Sequence, residues 1–92
     1  MNTSEPKVGE RITRVEVTDD SLTVDLLDGR TVTVPLVWYP RLLHASASQR
    51  NNFRIMGAGF VINWPELDEH LSSQGLLAGA PAPGVQTVST AG

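Results

Sequence analysis

The sequence contains no cysteine in its 92 residues. This absence excludes a disulfide framework, thiolate zinc sites and cysteine nucleophiles. No apolar run approaches the roughly 20 residues that a membrane-spanning helix needs. The first ten residues also lack the apolar segment of a signal peptide. We therefore expect a cytoplasmic protein with no membrane partner.

Basic residues are fewer than acidic ones, 7 against 10, and the formal net charge is −3. A mildly acidic domain is a poor candidate for nucleic-acid binding. The length suffices for one domain, which we place at residues 9–79. Residues 1–8 predict a flexible lead-in, and residues 80–92, rich in proline and glycine, predict a disordered tail. So small a folded part would gain stability from association with itself or with a partner.

The first half of the folded part has the alternation of antiparallel strands. Three groups of apolar residues define these strands: Ile12, Val15 and Val17; Leu22, Val24 and Leu26; Val32, Val34 and Leu36. The last two groups both lie on even numbers, which favours a three-residue loop over 27–29. Such a loop pairs residue 24 with 32 and places Gly29 in the left-handed region. Because Pro35 has no N–H, the third strand should end there or lie at an edge.

The second half predicts short helices and a second hairpin. Pro40 suits the first position of a helix, and Ser46 with Gln49 forms a capping box for the next. Apolar segments on both sides of residues 57–59 predict the hairpin. Helical turns are expected over 65–69 and between Ser72 and Gly79. The fold class is therefore α+β, with a small antiparallel sheet of about five strands and short helices packed on it.

Aromatic and basic residues coincide in residues 38–65, which hold every aromatic side chain, three arginines and no acid. They are Trp38, Tyr39, Phe53, Phe60 and Trp64, with Arg41, Arg50 and Arg54. Three interpretations stay open. The aromatics fill a small core, they form a protein-binding surface, or they stack on bases while the arginines bind phosphate.

An acidic cluster follows at Glu66, Asp68 and Glu69. It is either a solvated turn or a surface for a basic partner. A metal site would need further ligands, and His44 and His70 are isolated from any metal-binding spacing. No nucleophile motif or dinucleotide fingerprint is present. We therefore expect neither an enzyme nor a cofactor.

An ordered set of motifs runs through the second half: WYPRL from Trp38, QRNNF from Gln49, I-x-G-x-G from Ile55, INWPELDE from Ile62 and GLLAG from Gly75. This set resembles the bacterial family called domain of unknown function 2442, over about residues 10–79. The resemblance implies a small α+β domain. Family genes often lie beside that of another small protein, in an arrangement that looks like a toxin–antitoxin pair with this family as antitoxin.

Two positions depart from the usual family pattern. Asn63 stands where the family often has histidine, and His70 where it often has a third acid. If the acidic turn contacts a basic partner, that contact is weakened or made pH-sensitive here. The chain carries no helix-turn-helix, a module to which the family is sometimes fused.

Three functional hypotheses follow. The first is a non-enzymatic protein-binding module that neutralises a partner as an antitoxin would. The second is a nucleic-acid-binding regulator using Arg41, Arg50 and Arg54, and the third is a subunit or adaptor of a larger assembly. The residues predicted to bind a protein partner are Trp38, Tyr39, Arg41, Arg50, Trp64, Glu66, Asp68 and Glu69.

Overall fold

The computed structural model describes residues 7–79, which form two antiparallel sheets of three strands each. Sheet 1 has the order β1 (Ile12–Val17), β2 (Ser21–Leu26), β3 (Thr31–Pro35). Sheet 2 has the order β4 (Arg54–Met56), β5 (Val61–Trp64), β6 (Glu69–Ser72). The α-helices are α1 (Pro40–Leu43), α2 (Ala47–Arg50) and α3 (Ser73–Ala78). Single 3₁₀ turns cover Val8–Glu10, Leu36–Trp38 and Pro65–Leu67. Residues Gly57–Gly59 form a tight turn in which all three residues have positive φ. The predicted α+β class is confirmed.

The hairpin between β2 and β3 has the predicted register. Val24 lies opposite Val32, and the N–H of Leu26 donates to the carbonyl of Arg30 at 2.8 Å. Gly29 adopts a φ of 97°, a left-handed conformation that a side chain would disfavour. The side chain of Arg30 donates to the carboxylate of Asp28, and this hydrogen bond lowers the pKa of Asp28. The turn is thus determined by its own residues.

The apolar residues of β1 change from an even number at Ile12 to odd numbers at Val15 and Val17, and this change has a structural cause. Ile12 lies opposite Leu26 but Arg14 lies opposite Asp25, so Thr13 is the extra residue of a β-bulge. The bulge places Ile12, with an even number, on the same face as Val15. The change from even to odd numbers among the apolar residues of β1 is therefore the sequence signal of this bulge.

Helix ends follow the predicted capping. Pro40 occupies the first turn of α1, and Ser46 and Gln49 form the capping box of α2. Ser72 caps α3, and Gly79 ends it in the left-handed conformation. These features depend only on neighbours in the chain, which is why the sequence predicts them.

Two predictions about the second half were wrong. The helical turn expected over 65–69 ends at Leu67, because Asp68 has a left-handed φ of 51° and reverses the chain. Residues Glu69–Ser72 then form β6, which pairs with β5. The described part of the chain therefore contains six strands in two sheets rather than about five in one.

The core lies where the two sheets and the short helices meet. Its buried apolar residues are Ile12, Leu22, Val24, Leu26, Val34, Leu36, Tyr39, Leu42, Ile62, Trp64 and Leu76. The flexible lead-in predicted over residues 1–8 lies outside the described residues except for Lys7 and Val8, and the disordered tail predicted over residues 80–92 lies wholly outside them. The domain boundaries at 9 and 79 therefore stay predictions.

Two adjacent serines should respond in opposite ways to replacement by alanine. The hydroxyl of Ser72 accepts a hydrogen bond from the N–H of Gly75 at 3.0 Å, so Ser72→Ala should lower the free energy of unfolding by about 1 kcal/mol. The hydroxyl of Ser73 is buried and has no hydrogen-bond partner among residues 7–79. Ser73→Ala should therefore leave stability unchanged or raise it by up to about 1 kcal/mol.

Urea denaturation of both variants measures this difference, and each serine is the control for the other. A loss of stability in Ser73→Ala as large as that in Ser72→Ala would contradict the placement of the two hydroxyls.

Candidate functional site

Arg50 is a buried cross-link rather than a surface cation. Its side chain donates to the carbonyl oxygens of Leu42 at 2.9 Å and Leu43 at 2.7 Å, and to the carboxylate of Asp19 at 3.2 Å. Its own carbonyl accepts a hydrogen bond from the indole N–H of Trp64 at 2.9 Å. The residue therefore connects the end of α1, the turn between β1 and β2, and β5.

Tyr39 and Trp64 are core residues. Trp64 is fully buried and Tyr39 is 2% exposed. Trp64 packs beside Phe53, with ring centroids 6.2 Å apart. We therefore correct the prediction that Tyr39, Arg50 and Trp64 lie on a contact surface, because their side chains are enclosed by the fold. Trp38 is partly buried, with its ring at 6.4 Å from Tyr39.

Two residues of the acidic turn have hydrogen-bond or ion-pair partners within the chain. Arg41 donates to the carbonyl of Asp68 and lies 3.9 Å from its carboxylate. The side-chain amide of Asn52 donates to the carboxylate of Glu66 at 2.9 Å. Both acids are nevertheless exposed, so they stay available for an outside contact.

Glu69 lies near Tyr39, a neighbour that its position in the sequence does not reveal. Burial raises the pKa of the Tyr39 phenol, and the negative charge of Glu69 raises it further. Glu69 is half-buried, and it lies opposite Trp64 across sheet 2. This carboxylate therefore faces the edge of the core, unlike Glu66 and Asp68.

The three arginines of the nucleic-acid hypothesis have different environments. Arg50 is buried, and Arg41 is bound to Asp68. Among the arginines that the structure describes, only the side chain of Arg54 has no hydrogen bond, ion pair or aromatic contact within residues 7–79. One free guanidinium provides little of the phosphate binding that nucleic acid requires.

The most accessible strand was missed by the sequence analysis as a candidate site. All three residues of β4 are exposed, including Ile55 at 41% and Met56 at 48%. We call Arg54, Ile55 and Met56 the β4 surface. Every other described strand has at least one half-buried or buried residue. The segment was interpreted only as one arm of a hairpin, since three residues are too few to show alternation.

The two positions that depart from the family pattern lie side by side. Asn63 of β5 faces His70 of β6, and on its other side it faces Arg54 of β4. The three residues thus form one row across sheet 2. Arg54 and His70 are exposed at the two ends of this row.

Residues 7–79 hold neither a cluster of metal ligands nor a helix that could span a membrane. Among residues 7–79, no three histidine, aspartate or glutamate side chains lie together as metal ligands would. None of the described helices is long and apolar enough to cross a membrane.

The structure defines a class of small α+β domain in which two three-stranded antiparallel sheets are joined by short helices. The profile of the family described as protein of unknown function (DUF2442) matches residues 12–82, and the chain belongs to that family. It is similar to a crystal structure of a protein of unknown function from Rhodospirillum rubrum ATCC 11170. The TM-score is 0.70 at 29% identity, over 85% of this chain and 96% of the other. No curated protein matches the chain.

Loss of the Arg50 side chain should destabilise the fold strongly. Arg50→Met keeps the volume of the stem but removes three hydrogen bonds, two of them to main-chain carbonyls. We expect the free energy of unfolding to fall by about 2–4 kcal/mol, measured by urea denaturation. Asp19→Asn is the control, because the Asp19 carboxylate is fully exposed and its ion pair is screened by water. An Arg50→Met midpoint as close to wild type as that of Asp19→Asn would refute the cross-link.

Tyr39 should titrate above its ordinary pKa in the folded protein. It is the single tyrosine of the chain, so absorbance at alkaline pH reports this phenol alone. Its raised pKa means that the stability it confers is complete below the unfolded pKa of 10.0 and is lost as pH rises through the folded pKa. The midpoint should fall back to the unfolded value in urea.

Glu69→Gln separates the two causes of the Tyr39 shift. It removes the carboxylate charge, so the folded midpoint should move down but stay above the unfolded value, since burial is the larger cause. Glu66→Gln is the matched control and should leave the midpoint unchanged. Equal titration of Tyr39 in folded and unfolded protein would show that the phenol is not buried.

Proposed function

We propose that this chain is a non-enzymatic, cytoplasmic protein-binding module whose contact region is sheet 2, with the β4 surface at its centre. The observation that carries the proposal is that every residue of β4 is exposed, including two large apolar side chains. Exposed apolar residues at a strand edge are typical of protein-binding surfaces.

The acidic turn extends this region at the end of β5. Glu66 is exposed and its Asn52 partner lies two residues before β4, so the turn and the β4 surface are neighbours. A partner that covers Ile55 and Met56 can therefore also reach Glu66. This arrangement replaces the aromatic anchors that the sequence suggested.

The gene arrangement implied by the family resemblance favours an antitoxin-like role, in which binding blocks the active surface of a small toxin. A subunit or adaptor of a larger assembly would use the same surface, and the identity of the partner distinguishes these roles. Nucleic-acid binding has less support, because Arg54 is the one of the three candidate arginines whose side chain has no partner within residues 7–79.

Site-specific photo-cross-linking in the host cell tests the proposal. A benzophenone amino acid at position 55 should capture one protein in stoichiometric amount. The matched control is position 37, because Val37 is also apolar and is 58% exposed, but lies after β3 of sheet 1. Capture from position 37 alone, or from neither position, would contradict a partner at β4.

A further inference from the structure

Four strand edges bound the two sheets, and three of them carry features that discourage another strand from pairing. β1 contains the bulge at Thr13 and the charged residues Arg14 and Glu16. β3 ends at Pro35, and α3 packs beside it. β6 carries the charged side chain of Glu69 and continues directly into α3. Bulges, prolines, charges and covering helices are the usual means of protecting an edge.

The edge at β4 carries the charge of Arg54 but, among the described residues, no bulge, proline or covering helix, and its backbone groups are directed outward at Ile55. The carbonyl of Phe60 accepts from the N–H of Ser73, on the β6 side. The N–H of Val61 belongs to the same planar peptide unit and therefore points to β4. Because pairing alternates along an antiparallel strand, Met56 and Arg54 bond to β5, and the N–H and carbonyl of Ile55 face away from it.

The side chains of β4 define what kind of strand would fit there. Ile55 lies opposite the fully buried Ile62, so it shares the face of sheet 2 that packs on the core. Arg54 lies opposite Asn63 on the other face, in the row that ends at His70. That row contains no acid, and Arg54 has no counter-ion within residues 7–79.

We propose that the β4 edge binds an extended segment of a partner protein by strand addition, and that the segment alternates apolar and acidic side chains. Its main chain would pair with the N–H and carbonyl of Ile55. Its apolar side chains would cover Ile55 on the core-facing side, and an acidic side chain would pair with Arg54 on the outer face. Strand addition takes its affinity from the main chain and its specificity from alternate side chains. The inference rests on the proposed protein-binding function and names the partner's chemistry.

Charge favours this segment over a second copy of the chain. In a symmetric pairing of two β4 strands centred on Ile55, Arg54 would face Met56 of the other copy and would gain no counter-ion. A partner segment with an acid opposite Arg54 would supply hydrogen-bond partners for the N–H and carbonyl of Ile55 and a counter-ion for Arg54.

Two synthetic peptides of identical length test the proposal on the full chain by NMR. One has the sequence TVEVEVT and the other TVKVKVT. The acidic peptide should shift the amide signals of residues 53–57 and slow hydrogen exchange at the Ile55 N–H, whereas the lysine peptide should bind about two- to fivefold more weakly. Arg54→Glu should reverse this preference. The control Arg14→Glu, on the edge of sheet 1, should leave it unchanged.

Several results would overturn the inference. They are binding of neither peptide, equal binding of both, shifts at β1, β3 or β6 instead of β4, and an Ile55 N–H already protected by self-association. If position 55 still cross-links a protein in the host while the peptides fail, the protein-binding function stands and strand addition falls. If both experiments fail, the function itself is wrong.

Discussion

The contacts of Arg50 hold together parts of the fold that no sheet connects. Its guanidinium binds the last carbonyls of α1 and the turn of sheet 1, while its carbonyl accepts from the indole of Trp64 in sheet 2. Two three-stranded sheets share no ladder hydrogen bonds. Their relative position therefore depends on side chains at the junction, of which this arginine makes the most polar contacts.

The helices depend on the same junction. α1 and α2 have four residues each, far below the length at which a helix is stable in water. Their ends are satisfied by Pro40, by the Ser46 capping box and by the Arg50 side chain. Burial of Leu42 and Tyr39 then fixes them against the sheets. Local capping and tertiary contacts are therefore both needed.

Residue composition does not distinguish a binding surface from the core junction of this protein, because aromatic and arginine residues suit both. Trp64 needs a hydrogen-bond acceptor for its indole when buried, and the backbone of Arg50 supplies it. Arg50 needs several acceptors, and α1 and Asp19 supply them. A binding surface built from these residue types would show the same sequence pattern. The strand in which every residue is exposed carries Ile55 and Met56 instead, whose sequence context is that of any short hairpin arm.

Features that depend on near neighbours in the chain could be predicted from the residues alone. These are the β2–β3 register, the left-handed Gly29, the helix caps and the α+β class, because turn geometry and alternation act over a few residues. Tertiary contacts divide the strands into two sheets and form β6 after Asp68. They also enclose Arg50, whereas the Arg54 side chain has no partner within residues 7–79. Burial and strand pairing join residues far apart in the chain, and the local pattern of a segment does not specify which distant surface covers it.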